Sequence, residues 1–205
     1  MIIWTLAIGA SVALLVVTAT GRGAGLNLAY AHMAVAAAMA LIFALVAIRE
    51  MRAAAGRGAA RSEIAATAAR YSGLVYTWGA LALAVMYGTK LLEWREWLSF
   101  LIAFMVAAGL SLFLSATFNK DREQGREDAA MLKISRYLAM VQLVGMIAVA
   151  IGLVVDGKMT RFLTPLRHGD WAANNVFFFG AIAVAAISLM ALRMDAGASK
   201  PSAGK

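Results

Sequence analysis

The chain contains no cysteine and only two prolines. Without thiols it can form no disulfide, no thiolate metal site and no cysteine-ligated iron–sulfur cluster, and it has no thiol nucleophile. Pro165 and Pro201 both fall outside the long apolar blocks. No block is therefore interrupted by a residue lacking its N–H, and a proline-broken helix of the transporter kind is not expected. Charge is scarce as well. Asp, Glu, Lys and Arg make up 15% of the residues, against about 25% in an ordinary soluble domain. None of them lies near the middle of an apolar block. Ion pumps, proton relays and voltage sensors place ionisable groups there, so this chain alone is not expected to run charge-coupled transport.

Histidine is equally sparse, with His32 and His168 the two present. Only His32 lies in an apolar block, so a haem held by two axial imidazoles of this bundle is not expected, and a single-histidine haem is the alternative left open. His168 and the nearby Asp170 lack the ligand spacing of a zinc site. No nucleophile–base pair, glycine-rich phosphate loop or Glu-x-x-His motif is present. The expectation is therefore no enzyme activity, no cofactor and no bound metal.

Hydrophobic residues are abundant, at 62% of the chain. They gather into blocks at about 2–19, 27–49, 71–92, 97–118, 134–155 and 171–193. Each holds roughly 18–23 residues, the length a helix needs to cross a hydrocarbon core of about 30 Å. In lipid a helix satisfies its own backbone hydrogen bonds, and these runs are too long and unbroken for barrel strands. The expected fold is all-α: a polytopic integral membrane bundle of six transmembrane helices, forming one domain over residues 1–193. The polar tail 194–205 is expected to be a disordered cytoplasmic segment. The first block lacks a basic n-region and outruns a usual signal-peptide core, so it is expected to stay attached as a helix.

The formal net charge is +8. The basic residues sit in short connections between apolar blocks, which points to anionic lipid headgroups and away from nucleic acid. Arg49, Arg52, Arg57, Arg61, Arg70, Lys120, Arg122, Arg126, Lys133, Arg136, Arg193, Lys200 and Lys205 share one side if six helices alternate, and the remaining six basic residues take the other. That asymmetry predicts a bacterial inner (plasma) membrane protein with both termini in the cytoplasm. The alanine-rich connection 50–70 and the mixed-charge connection 121–136 read as helical extensions beyond the bilayer or as solvated loops.

Residues 69–85 (ARYSGLVYTWGALALAV) are echoed by 135–151 (SRYLAMVQLVGMIAVAI). At that shift Arg70 matches Arg136, Tyr71 matches Tyr137, Val75 matches Val141 and Gly79 matches Gly145. Two readings are open. Helices 2–3 and 4–5 are a tandem parallel repeat of one hairpin, or Arg, aromatic, Gly and Ala recur because such helices share them. Under the first reading, Arg70 and Arg136 contact lipid headgroups, while Gly79 and Gly145 are helix-packing positions.

Polar residues within the blocks form two layers. The outer one holds Tyr30, His32, Tyr87, Asn174 and Asn175, a candidate ligand pocket or a set of interhelical contacts. The inner one holds Tyr76, Thr77, Ser111, Ser115 and Gln142. The connection 157–171 pairs apolar and basic residues as an interfacial helix would, with Pro165 to end or kink it.

The functional expectation is a non-catalytic membrane protein that serves as an accessory or scaffolding subunit, as a homo-oligomer or within a larger complex. The alternative is a carrier or channel for a neutral or hydrophobic small molecule that uses the outer layer.

Overall fold

The computed structural model describes residues 26–88, 94–124, 128–155 and 168–198, with side chains over 34–86, 98–124, 128–155 and 173–195. Among them are five helices: α1 (Leu26–Gly56), α2 (Arg61–Gly88), α3 (Trp94–Glu123), α4 (Ala129–Val155) and α5 (His168–Ala198). Four of these are long and apolar enough to cross a membrane, through Ala34–Gly56, Leu98–Glu123, Ala129–Val155 and Ala173–Asp195.

This corrects the expectation of six spanning helices in two ways. The first apolar block, 2–19, lies outside the described residues. And α2, though 28 residues long, is not among the four. Tyr71, Ser72, Tyr76, Thr77 and Trp78 dilute its apolar content. The packing explains why that composition is tolerated: α2 touches α1, α3 and α5 along much of its length and also reaches α4. A helix wrapped by protein meets little lipid and can carry hydroxyls and glycines that a peripheral helix cannot. The peripheral extreme is α4, the most apolar of the spans, which has no buried residue. It packs on α5 and barely meets α2.

The turn between α1 and α2 is built by glycine. The Gly58 N–H donates to Ala55 O at 3.0 Å and the Ala59 N–H to Ala54 O at 3.0 Å, the paired bonds of a Schellman cap. That cap needs a left-handed residue, and Gly58 supplies it with φ of +69°. At the start of α4 the cap is a side chain: Asp128 Oδ1 accepts from the N–H groups of Ala130 (2.8 Å) and Met131 (3.3 Å). Helix therefore occupies the connection 50–70 except at residues 57–60, and α3 runs through Glu123.

Small residues set the core. Ala36, Ala40, Ala44, Ala47 and Ala54 of α1 are buried together with Phe43 and Met51, at the three- and four-residue spacing of one helix face. Between α2 and α3 the helices come close at Gly73, beneath Leu112, and at Gly79, beneath Phe104. The Phe104 ring lies edge-on to Tyr76 (5.7 Å between centroids) and to Phe177 of α5 (4.8 Å), so one aromatic column ties three helices.

The tandem hairpin repeat fails on this geometry. α1 and α2 pack as a hairpin, whereas α3 and α4 hardly touch. Matched residues also fall in opposite surroundings. Tyr71 is 5% exposed and Tyr137 55%; Val75 is 2% exposed and Val141 68%. Gly79 is pressed against Phe104, while a Cβ at Gly145 would meet nothing within 4 Å. The echo reflects two helices that begin at the same interface, not two copies of one packing unit.

Candidate functional site

Every charged side chain described belongs to one end of the bundle, where the α1–α2 and α3–α4 connections and the C-terminal part of α5 meet. Three carboxylates organise this charged end. Glu50 of α1 accepts from the Arg70 guanidinium and, at 2.7 Å, from the Tyr71 hydroxyl. Arg70 also lies over the Tyr71 ring, 4.8 Å from its centroid. Glu63 of α2 pairs with Arg57 in the turn at 2.9 Å and with Arg122 of α3 at 3.6 Å. Asp195 of α5 sits between Arg61 of α2 at 3.8 Å and Arg136 of α4 at 3.6 Å. Each bridge joins different helices or closes a turn, so together they fix where the five helix ends stand relative to one another. Partly exposed pairs of this kind contribute at most about 1 kcal/mol each. Their effect is on register more than on stability.

The Asp195 bridge lies at the rim of a cleft between α2, α4 and α5. Arg61, Ser135, Arg136 and Asp195 form its polar rim, and Ile64, Leu132, Ala139 and Leu192 are among its apolar walls. About two turns below that bridge, Ser188 of α5 donates to Gln142 Oε1 of α4 at 3.4 Å. Gln142 is also the hydrogen-bond partner of Tyr76 on α2. Where α2 and α4 draw apart, polar bridges therefore hold them at two levels.

The inner polar residues divide accordingly. Tyr76 and Gln142 come together, joined by Ser188. Ser115 turns to the opposite seam, where its hydroxyl donates to the Ala66 carbonyl at 3.0 Å. Ser111 is buried on the same helix. Thr77 satisfies itself within α2 by donating to Gly73 O at 2.8 Å, as hydroxyls in apolar helices do. Of the outer layer, Asn175 is buried and Asn174 half-buried. The side chains of Tyr30, His32 and Tyr87 lie outside the described residues.

Arg70 and Arg136, the expected headgroup contacts, are half-exposed and each also faces a carboxylate. Glu50, Glu63, Asp195 and Ser188 carry this site and do not stand out in the sequence, where the connections count by their arginines. The available signal was the presence of single acids inside basic connections: Glu50 directly after Arg49, Glu63 two residues after Arg61, and Asp195 two after Arg193. No group of three or more potential metal ligands occurs among the described residues. Compared with known proteins, the chain matches no protein-family model, no curated protein and no solved structure.

Proposed function

We propose that this chain is a non-catalytic integral membrane protein that acts as an accessory or scaffolding subunit and presents the outward faces of α3 and α4 to a further membrane-embedded chain. The observation that carries this reading is the state of α4, where none of the 27 residues is buried. Ile134, Tyr137, Val141, Val144, Ile151 and Val155 are all at least half exposed. Their three- and four-residue spacing makes a continuous seam of the kind helices use to pack at shallow angles. On α3, Phe100, Met105, Val106 and Phe113 are likewise outward. Lipid solvates such a surface without driving association, so what recommends the seam is its shape: a run of stiff β-branched side chains that loses little rotamer entropy on packing.

The excess of arginine at the charged end supports placing that end at the cytoplasmic face of a bacterial inner membrane, against anionic headgroups. The test is native mass analysis after extraction in mild detergent, together with capture from native membrane. An assembly containing a second copy or a co-purifying subunit is the expected result. A strict monomer that captures nothing overturns the proposal.

A further inference from the structure

The cleft between α2, α4 and α5 combines features that no purely structural ion pair needs. Two guanidiniums from different helices converge on its rim, 39% exposed at Arg61 and 59% at Arg136. A guanidinium carries five N–H donors, and the bridge to Asp195 engages one nitrogen of each, at 3.8 and 3.6 Å. Ser135 lines the same cleft. Below the rim the walls turn apolar at Ile64, Ala139 and Leu192 and continue into the exposed apolar flank of α4. Across the charged end, ten cationic side chains face six acidic ones among the described residues.

From this geometry we infer that the cleft is a binding site for an anionic phospholipid. Its phosphate lies on Arg61, Arg136 and Ser135, and an acyl chain descends along Ala139, Leu192 and the flank of α4. The inference rests on the reading of the chain as membrane-embedded, but not on its role as a subunit. Asp195 holds the two guanidiniums at the rim, and the phosphate takes the donors that Asp195 leaves. A soluble anion would need only the rim. A cation-rimmed cleft open to an apolar groove suits a ligand with both a phosphate and a hydrocarbon part.

The test uses the full-length chain in non-ionic detergent, with thermal unfolding followed by tryptophan fluorescence. Phosphatidylglycerol is expected to raise the melting temperature in a saturable way, whereas phosphatidylcholine and inorganic phosphate leave it unchanged. The double variant Arg61→Gln/Arg136→Gln should lose the shift. Ala139→Trp, which fills the cleft and keeps both arginines, should lose it as well. Arg57→Gln, which alters the Glu63 bridge instead, should keep it. Circular dichroism establishes that each variant is folded; if Ala139→Trp is not, the double arginine variant decides. A shift that survives both, a wild-type chain indifferent to phosphatidylglycerol, or an equal shift with inorganic phosphate alone overturns the site. Failure of the subunit reading would show instead as a monomer that still responds to the lipid.

Discussion

Gly79 of α2 lies directly beneath Phe104 of α3: a Cβ at position 79 would stand 2.5 Å from the ring. The ring is buried and packs edge-on against both Tyr76 and Phe177, at 5.7 and 4.8 Å, so any shift disturbs these contacts. Gly79→Ala is therefore expected to destabilise the bundle by about 1–3 kcal/mol, the usual cost of overpacking. Gly145→Ala, which meets nothing within 4 Å, is expected to be neutral or slightly stabilising. Unfolding in mixed detergent measures both, and equal effects at the two glycines would contradict the assignment of α2 as the enclosed helix.

Glu50 and Tyr71 form a second pair whose removal should be asymmetric. Tyr71 is nearly fully buried, and its hydroxyl donates to Glu50 at 2.7 Å. Tyr71→Phe removes one hydrogen bond and is expected to cost about 0.5–1.5 kcal/mol. Glu50→Ala leaves the buried hydroxyl without this acceptor and Arg70 without its carboxylate, and is expected to cost more, about 1–3 kcal/mol. A double-mutant cycle should show the two changes to be coupled, since they share one bond. Strict additivity would mean that the contact contributes nothing.

Much of the bundle was legible from composition, and the places where it was not have physical causes. Blocks of apolar residues mark α1, α3, α4 and α5 because lipid-facing or core-facing helices must be apolar almost throughout. Hydropathy is blind to the difference between those two environments, and this hides the central fact of the fold. Among the described helices α2, which falls short of the apolar content of a span, is the one the others surround, and the most apolar span, α4, is the one with nothing buried. The repeat misled for the same reason. Arg-Tyr at an interface and Gly somewhat more than two turns further along suit a central and a peripheral helix alike. Only the neighbours, Leu112 and Phe104 over Gly73 and Gly79, tell the copies apart. In the site, Tyr76 and Gln142 could be placed at one depth from their helix positions, but Ser188 sits in an alanine-rich stretch of α5 where a lone serine carries no signal. The carboxylates Glu50, Glu63 and Asp195 are visible in the sequence; their partners are not, because each bridge joins helices whose adjacency periodicity does not reveal.

The Tyr76, Gln142 and Ser188 contacts give the weak α2–α4 seam its deeper attachment. Gln142→Leu keeps the volume and removes both hydrogen bonds. Interhelical polar contacts in membranes average about 0.6 kcal/mol, so a loss of roughly 1 kcal/mol is expected for two of them. The more telling readout is local. α4 should become more accessible to hydrogen exchange or proteolysis while α1 and α2 stay protected. A uniform loss of protection across the bundle would show instead that α4 is not an independently attached element.

The absence of cysteine makes the orientation directly testable, since any introduced thiol is the only one in the chain. Ala55, near the C-terminal end of α1, and Gln124, just beyond α3, are both exposed at the charged end, and the Glu63 bridge from Arg57 to Arg122 brings their connections together. They must therefore face the same compartment whatever the span count elsewhere. With arginine-rich connections retained on the cytoplasmic side, Ala55→Cys and Gln124→Cys are expected to resist a membrane-impermeant maleimide in intact cells. Both should react fully once the membrane is opened. Labelling of both from outside would invert the orientation but preserve the fold. Labelling of one and not the other would break the fold itself, because no membrane can pass between two connections tied to the same carboxylate.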